Sequence, residues 1–264
     1  MKAIAFVPVY NEADILPWTL RHLRSQGVEP YVIDNWSDDR TDEAVLREAA
    51  TPRDGAPSTG MSWERFPADG PSATYDWTAI LHHIEELAAA SDADWCMLQD
   101  ADELRYSPWP SGVMQRFTLN PALELVQDKD FSAVNFQCYN FVPTEDGWDG
   151  TQDPEEYFQF IEPDSIYSRV PHIKAWRNVG RVDLASTGGH EARFEGRRVF
   201  TTPFVSKHYG IRSQAHGERK VFRDRVPRWN PEERAKRWHE QYLGIEPGHN
   251  FIRKPEELAR WNAA

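Results

Sequence analysis

The sequence predicts an α/β domain on a mostly parallel central sheet, and three observations carry that expectation. Strand-like and helix-like segments alternate from Ala3 onward, the order that a parallel sheet with crossover helices requires. The strand-like segments Ala3-Ile4-Ala5-Phe6-Val7, Tyr31-Val32-Ile33 and Trp95-Cys96-Met97-Leu98 are continuous apolar runs, as in strands buried on both faces. Each leads into polar residues: Asn11-Glu12, Asp34-Asn35 and Asp100-Ala101-Asp102. The ends of parallel strands lie along one edge of the sheet, where open α/β sheets bind ligands. Asp and Asn are also turn formers, which is the competing account of any one of these ends.

The elements follow in order. After the first strand, Leu16, Leu20 and Leu23 recur at helical spacing and Gly27 closes the run. Pro17 belongs only in a first turn, so that helix begins near Asp14. Thr41 to Ala50 is a second helix, and Thr51 to Ser72, rich in Pro, Gly and Ser, reads as a surface loop. Asp76 to Ala90 is helical, with Trp77, Ile80, Ile84 and Leu87 on one face. Asp94 to Leu98 is the strand that delivers the acid pair. Beyond it, Phe131 to Val142 and Ile166 to Trp176 read as strands around an acidic loop from Thr144 to Pro154. Phe204 to Tyr209 is a late strand, and a basic helix capped by Ser213 runs to about Arg225. No repeat, low-complexity segment or linker interrupts the chain, so one domain over residues 1–264 is the simplest organisation.

The 264 residues are 40% hydrophobic and 12% aromatic, enough for a sizeable core. The net charge of −12 argues against nucleic acid as a partner, although basic residues gather between Arg212 and Arg237. Cys96 and Cys138 lie in apolar runs without metal or disulfide spacing and read as buried thiols of a reducing compartment. No apolar run reaches the ~18 residues of a membrane span, and Met1-Lys2 leads directly into a strand rather than a signal peptide. The expectation is a cytoplasmic protein.

Asp100 and Asp102, at i and i+2 after an apolar strand, would face the same way. Two such carboxylates repel unless a cation separates them, so the pair invites a hard divalent metal; the alternative is a solvated acidic turn. The ordered set Val7-Pro8-Val9-Tyr10-Asn11-Glu12, Val32-Ile33-Asp34-Asn35-Trp36-Ser37-Asp38-Asp39-Arg40-Thr41 and Leu98-Gln99-Asp100-Ala101-Asp102-Glu103 resembles the family 2 glycosyltransferases of GT-A fold. The likeness is good over residues 1–105 and loose beyond. It departs from the usual pattern at Asn35-Trp36, where such proteins often carry Asp-Gly.

The resemblance implies a Rossmann-like, mostly parallel sheet flanked by helices. Residues 1–105 would be the nucleotide-binding half, 106–210 a mixed acceptor half, and 211–264 a basic helix and C-terminal extension. It implies transfer of a sugar from a UDP- or GDP-linked donor to the hydroxyl of a glycan or small-molecule acceptor, with inversion, and with Mn²⁺ or Mg²⁺ neutralising the leaving diphosphate. Pro8, Tyr10, Asn11 and Glu12 would line the nucleoside pocket with Asp34, Asn35 and Trp36. Asp100 would contact ribose or a metal-bound water, Asp102 would ligate the metal, and His208 is the candidate for a late histidine ligand. A hydrogen-bonded strand-end histidine is its competing reading.

Arg212, then Arg219, Lys220 and Arg223 on a helix capped by Ser213, suit a diphosphate, while a solvated basic face is the favoured reading of Arg223 and Arg225 and less so of Arg212. Glu191, after the Gly188-Gly189 pair, is the candidate general base; His190 is the alternative base or a rival metal ligand, and Asp183, Glu162 and Asp164 are further rivals. Of the 11 tryptophans, Trp36 sits in the nucleotide loop and the others read mainly as packing. The Trp238 to Trp261 stretch is compatible with an acceptor lid, a homo-oligomer contact or a peripheral membrane anchor. Two other classes compete. A nucleotidyltransferase would need a Gly-rich basic loop after the first strand, which Pro8 to Asp14 lacks; a non-catalytic nucleotide- or carbohydrate-binding module is the third.

Overall fold

In the computed structural model, described here for residues 1–51, 60–109, 117–235, 242 and 244–262, the first half alternates as the sequence predicts. β1 (Ala3–Val9), α1 (Leu16–Ser25), β2 (Glu29–Asp34), α2 (Thr41–Ala50), β3 (Ser62–Arg65), α3 (Trp77–Ala90) and β4 (Trp95–Leu98) follow one another. They supply four parallel strands in the order β3-β2-β1-β4. The two-residue period of the strands sorts the core onto two faces. From β1 and β4, Ala5, Val7, Trp95 and Met97 pack with Leu16, Leu20 and Leu23 of α1. Phe6, Cys96 and Leu98 pack on the other face with Ile80, Leu81 and Ile84 of α3. Both cysteines are buried thiols.

The helix starts obey local chemistry. Pro17 sits in the first turn of α1, where its missing N–H costs no hydrogen bond. The Asp76 side chain accepts from the Ala79 N–H at 2.9 Å and caps α3.

One strand of the first half, and several elements beyond it, depart from the sequence reading. β3 lies inside the expected Thr51 to Ser72 loop; it is a four-residue edge strand paired with Tyr31–Asp34, too short and too polar to stand out beside its Gly and Pro neighbours. β5 (Glu103–Tyr106) and α4 (Leu119–Asp128) were not anticipated, although Leu119, Ala122, Leu123 and Val126 are the buried i, i+3, i+4, i+7 set of an amphipathic helix. The Phe131 to Val142 strand is two strands. β6 (Ala133–Val134) ends the large sheet, and β7 (Phe136–Asn140) starts another, the chain changing sheets at Asn135.

After α5 (Pro154–Tyr157) and β8 (Phe160–Ile161), the expected Ile166 to Trp176 strand is instead α6 (Ile166–Arg169) followed by β9 (Ala175–Arg177). Ser165 caps α6 through the Tyr167 N–H, and Pro171, with no N–H to donate, separates the two elements. β9 runs antiparallel to both β4 and β6, completing a six-stranded sheet flanked by helices.

β10 (Phe204–His208) forms the centre of a three-stranded sheet, antiparallel to β5 and parallel to β7. α7 (Gln214–Arg219), capped by Ser213, continues into a π-helical turn over Lys220–Arg225, so the expected basic helix is present with a loosened second half. β11 (Ala259–Arg260) pairs antiparallel with β8 in a separate two-stranded sheet. Trp238 lies outside the described residues, whereas Trp261 packs against Tyr139 and Phe141. Among the described residues no helix is long and apolar enough to cross a membrane.

Candidate active site

A cavity of about 320 Å³ opens at the C-terminal edge of the parallel strands. β1 contributes Pro8, Val9 and, just beyond it, Tyr10 and Glu12 to the wall; the turn after β4 contributes Asp100, Ala101 and Asp102. The lining also includes Ile166, Tyr167 and Val170 on and beside α6, Gly188 and His190, and His208 at the end of β10. Lys174, Lys220 and Arg225 bring three permanent positive charges to the same wall.

The two strand systems meet at Asp102 and His208. The Tyr209 N–H donates to the Asp102 carbonyl at 2.8 Å, which fixes the neighbouring side chains, and His208 Nε2 lies 3.7 Å from Asp102 Oδ2. The histidine's tautomer follows from its surroundings. Asn140 Nδ2 donates to Glu162 at 3.1 Å, and a carboxylate accepts only, so Asn140 Oδ1 must face His208 Nδ1, 2.9 Å away. Nδ1 therefore carries a proton, and Nε2 is the ring nitrogen turned towards Asp102.

Each acid of the pair also has its own lysine. Asp100 is bonded to Lys174, and Asp102 Oδ2 accepts from Lys220 Nζ at 2.8 Å. Lys220 bridges to Glu12 Oε1 at 3.0 Å. Burial by itself would raise the Asp102 carboxyl; Lys220, then His208 and Arg212, override it and hold the group well below the usual carboxylate range. Burial would likewise lower the Lys220 ammonium, but Asp102 and Glu12 raise it, so both partners stay charged.

One carboxylate and one imidazole Nε2 face each other, a combination that Mn²⁺ accepts readily and Mg²⁺ less so. No group of three His, Cys, Asp or Glu side chains is placed to hold a metal among the described residues. Asp102 and His208 could hold an ion only if its remaining positions went to substrate oxygens and water.

The other sequence-predicted residues divide. Pro8, Tyr10, Glu12, Asp100, Asp102, His190 and His208 meet at the cavity. Asn35 lines a neighbouring cleft of about 440 Å³ with Phe66, Pro67 and Thr74. Asn11, Asp34 and Trp36 shape the loops instead. Asn11 exchanges hydrogen bonds with Asp38, and Trp36 Nε1 donates to the Pro67 carbonyl. Asp34 is fully buried, accepting from the Ser37 N–H at 3.0 Å with Arg65 Nε 3.4 Å from its other oxygen.

Glu191 does not reach the cavity wall; Arg197 and Arg193 hold its carboxylate at 3.2 and 3.7 Å. The placement of Arg212 at a diphosphate is corrected. Its guanidinium is buried and consumed by Glu12 and Asp14, with the Tyr209 carbonyl as a further acceptor. The solvated reading of Arg225 is corrected too: it lines the cavity and lies over the Tyr75 ring at 4.7 Å. Glu162, a rival base, is instead the partner that orients Asn140.

Sequence reasoning missed Lys174, Tyr75, Trp77 and Tyr167, which all line the cavity. For Lys174 there was a signal: a lysine between Ile173 and Ala175 in an apolar stretch requires a buried acid. For the aromatics there was none beyond their number.

No family model matches the sequence, and no curated protein matches it. Among solved structures, a mannosyltransferase from Pyrobaculum calidifontis in complex with GDP-mannose and Mn²⁺ is similar over 83% of this chain and 59% of its own, with a TM-score of 0.48 and 19% identity. A mannosyl-3-phosphoglycerate synthase from Rubrobacter xylanophilus is similar over 56% of this chain and 42% of its own, with a TM-score of 0.33 and 19% identity. This chain thus spans less than two thirds of the length of either protein.

The His208 ring lies against Gly210, where an added Cβ would sit 2.7 Å from Cε1. Gly210→Ala is expected to displace the imidazole and weaken Mn²⁺ binding in the presence of a nucleoside diphosphate by roughly 10–100-fold, the usual cost of disturbing a ligand's support. Calorimetry reads the change. An unaltered Mn²⁺ affinity in Gly210→Ala would remove His208 from the ligand set.

Proposed function

We propose that this protein is a glycosyltransferase that takes its sugar from a nucleoside diphosphate donor and passes it to an acceptor hydroxyl. The observation that carries the reading is the convergence of the β1 end, the Asp100-Ala101-Asp102 turn and the Nε2 of His208 on one cavity. Parallel strand ends offer a nucleotide a crevice, and the carboxylate–imidazole pair offers its diphosphate a cation. Asp102 and His208 would hold Mn²⁺ or Mg²⁺, which when bound neutralises charge developing on the leaving diphosphate.

The chain's own groups supply the rest. Tyr10, with the Arg228 guanidinium stacked on its ring at 4.0 Å, forms an aromatic–cationic ledge beside Asn35 and the second cleft. We assign the nucleoside to this region. Asp34 then acts indirectly, by holding the Asn35–Ser37 loop. Arg225 and Lys220 approach from the basic turn, suited to diphosphate oxygens. The acceptor oxygen attacks the anomeric carbon, the bond from that carbon to the diphosphate oxygen breaks, and the acceptor's proton passes to a base. His190 is the base this geometry favours, because it stands on the wall while Glu191 is held by two arginines. Inversion follows from single displacement under this reading.

A thermal-shift series with nucleoside diphosphates, with and without Mn²⁺, tests the reading. A ligand at ~100 times its dissociation constant should add about 2.7 kcal/mol of apparent stability. Asp102→Asn should abolish both turnover and the Mn²⁺-dependent part of that shift while the protein remains folded. A wild-type protein indifferent to every nucleoside diphosphate would overturn the proposal, and binding without transfer or donor hydrolysis would leave a non-catalytic module.

The base assignment has its own measurement. His190→Gln should retain nucleotide binding and lose kcat by roughly 10²–10⁴-fold, whereas Glu191→Gln should stay within a few-fold of wild type. The reverse pattern would return the role to Glu191.

A further inference from the structure

Lys220 holds a position that the proposed reaction alone does not explain. Its ammonium is buried, 2.8 Å from Asp102 Oδ2 and 3.0 Å from Glu12 Oε1, and so covers the carboxylate oxygen that faces His208. The cavity wall is balanced in formal charge among its described residues. Glu12, Asp100 and Asp102 stand against Lys174, Lys220 and Arg225. Asp100 has a separate partner in Lys174, so the Lys220 charge is committed to Asp102 and Glu12. A bare divalent ion arriving at Asp102 would add two charges to a balanced site, beside an ammonium already on the same oxygen. A nucleoside diphosphate reverses that balance, since its negative charge can be divided between an ion and a lysine.

We propose that Lys220 is a displaceable counter-ion that blocks Asp102 against a bare divalent cation and yields it only when a nucleoside diphosphate arrives. The inference rests on the glycosyltransferase reading and adds an order of events to it: metal and nucleotide enter together, and Lys220 exchanges Asp102 for diphosphate oxygens. The side chain suits the exchange. A lysine is a point charge on a flexible four-carbon stem, unlike the planar guanidinium of Arg212, which is fixed by Glu12 and Asp14. Lys220 also begins the π-helical turn, a local departure from helix geometry that recurs at functional sites.

Mn²⁺ binding without nucleotide tests the idea, read by electron paramagnetic resonance of free Mn²⁺ and by melting temperature. Wild type should bind Mn²⁺ alone weakly, with no stabilisation. Lys220→Gln should melt lower, because Glu12 and Asp102 lose a shared cation, and should bind Mn²⁺ about tenfold or more tightly, as removal of a neighbouring like charge implies. Mn²⁺ should restore its melting temperature where KCl of equal ionic strength does not. Lys220→Arg, which keeps the charge, should resemble wild type.

Should Lys220→Gln fail to fold, Lys220→Gln combined with Glu12→Gln removes one charge of each sign and should show the same gain in affinity. Equal Mn²⁺ affinity in wild type and in the variant lacking the Lys220 charge would overturn the proposal. A parallel arm with GDP or UDP plus Mn²⁺ on wild type separates the two readings. A nucleotide response without the Mn²⁺ gain overturns the Lys220 inference alone, and no nucleotide response overturns the transferase reading, while the nucleotide-free comparison still decides the role of Lys220.

Discussion

The buried guanidinium of Arg212 is the constraint on which the site depends. It reaches from the segment after β10 to Glu12 and Asp14 after β1, donates to the Tyr209 carbonyl at 2.9 Å, and lies over the Trp148 ring. Removing one partner of such a buried pair typically costs 3–5 kcal/mol, because the other charge is left uncompensated. The consequence here is spatial. Arg212 leads directly into the Ser213 cap, α7 and the π-helical turn, so the same pairing that orients Glu12 also presents Lys220 and Arg225 to the acid pair. Its charge is spent on architecture, and the lysine eight residues on is left to meet the cavity.

The first half of the fold was legible because one physical rule governs it. Strands covered on both faces become continuous apolar runs, and the residues of β1 and β4 sort by alternation onto the α1 and α3 sides. The rule fails once strands are short or half-covered. β3 has four partly exposed residues, and β6 and β7 form one apolar stretch in sequence although they belong to different sheets. That division at Asn135 depends on long-range pairing, and β9 supplies the neighbour for β6 from forty residues downstream. α4 is a different case. Its buried i, i+3, i+4, i+7 spacing is present in the sequence itself.

The site was legible to the extent that its residues end strands. Asp100, Asp102 and His208 each follow or close an apolar run, and all three reach the cavity. Their pairings with lysine were not, because a salt bridge between residues far apart leaves no local pattern that names both partners. Lys174 and Lys220 lie 74 and 118 residues from their acids. Glu191 illustrates the opposite error. A carboxylate after two glycines looks available in sequence, but Arg193 and Arg197, two and six residues on, occupy it.

The end of the chain belongs to the site rather than being appended to it. Arg253 Nη1 lies 3.1 Å from Glu162 Oε1, Glu162 orders the Asn140 amide, and Asn140 fixes the proton on His208 Nδ1. The same segment places Phe251 so close to Gly217 that a Cβ there would come within 2.4 Å of its ring, which binds it to α7. Two contacts therefore run from residues 251–253 to the cavity, one ending at the imidazole and the other at the helix that leads to Lys220. A histidine and a lysine that approach the same aspartate oxygen, from separate elements joined by one tail, are held in register by packing as much as by charge.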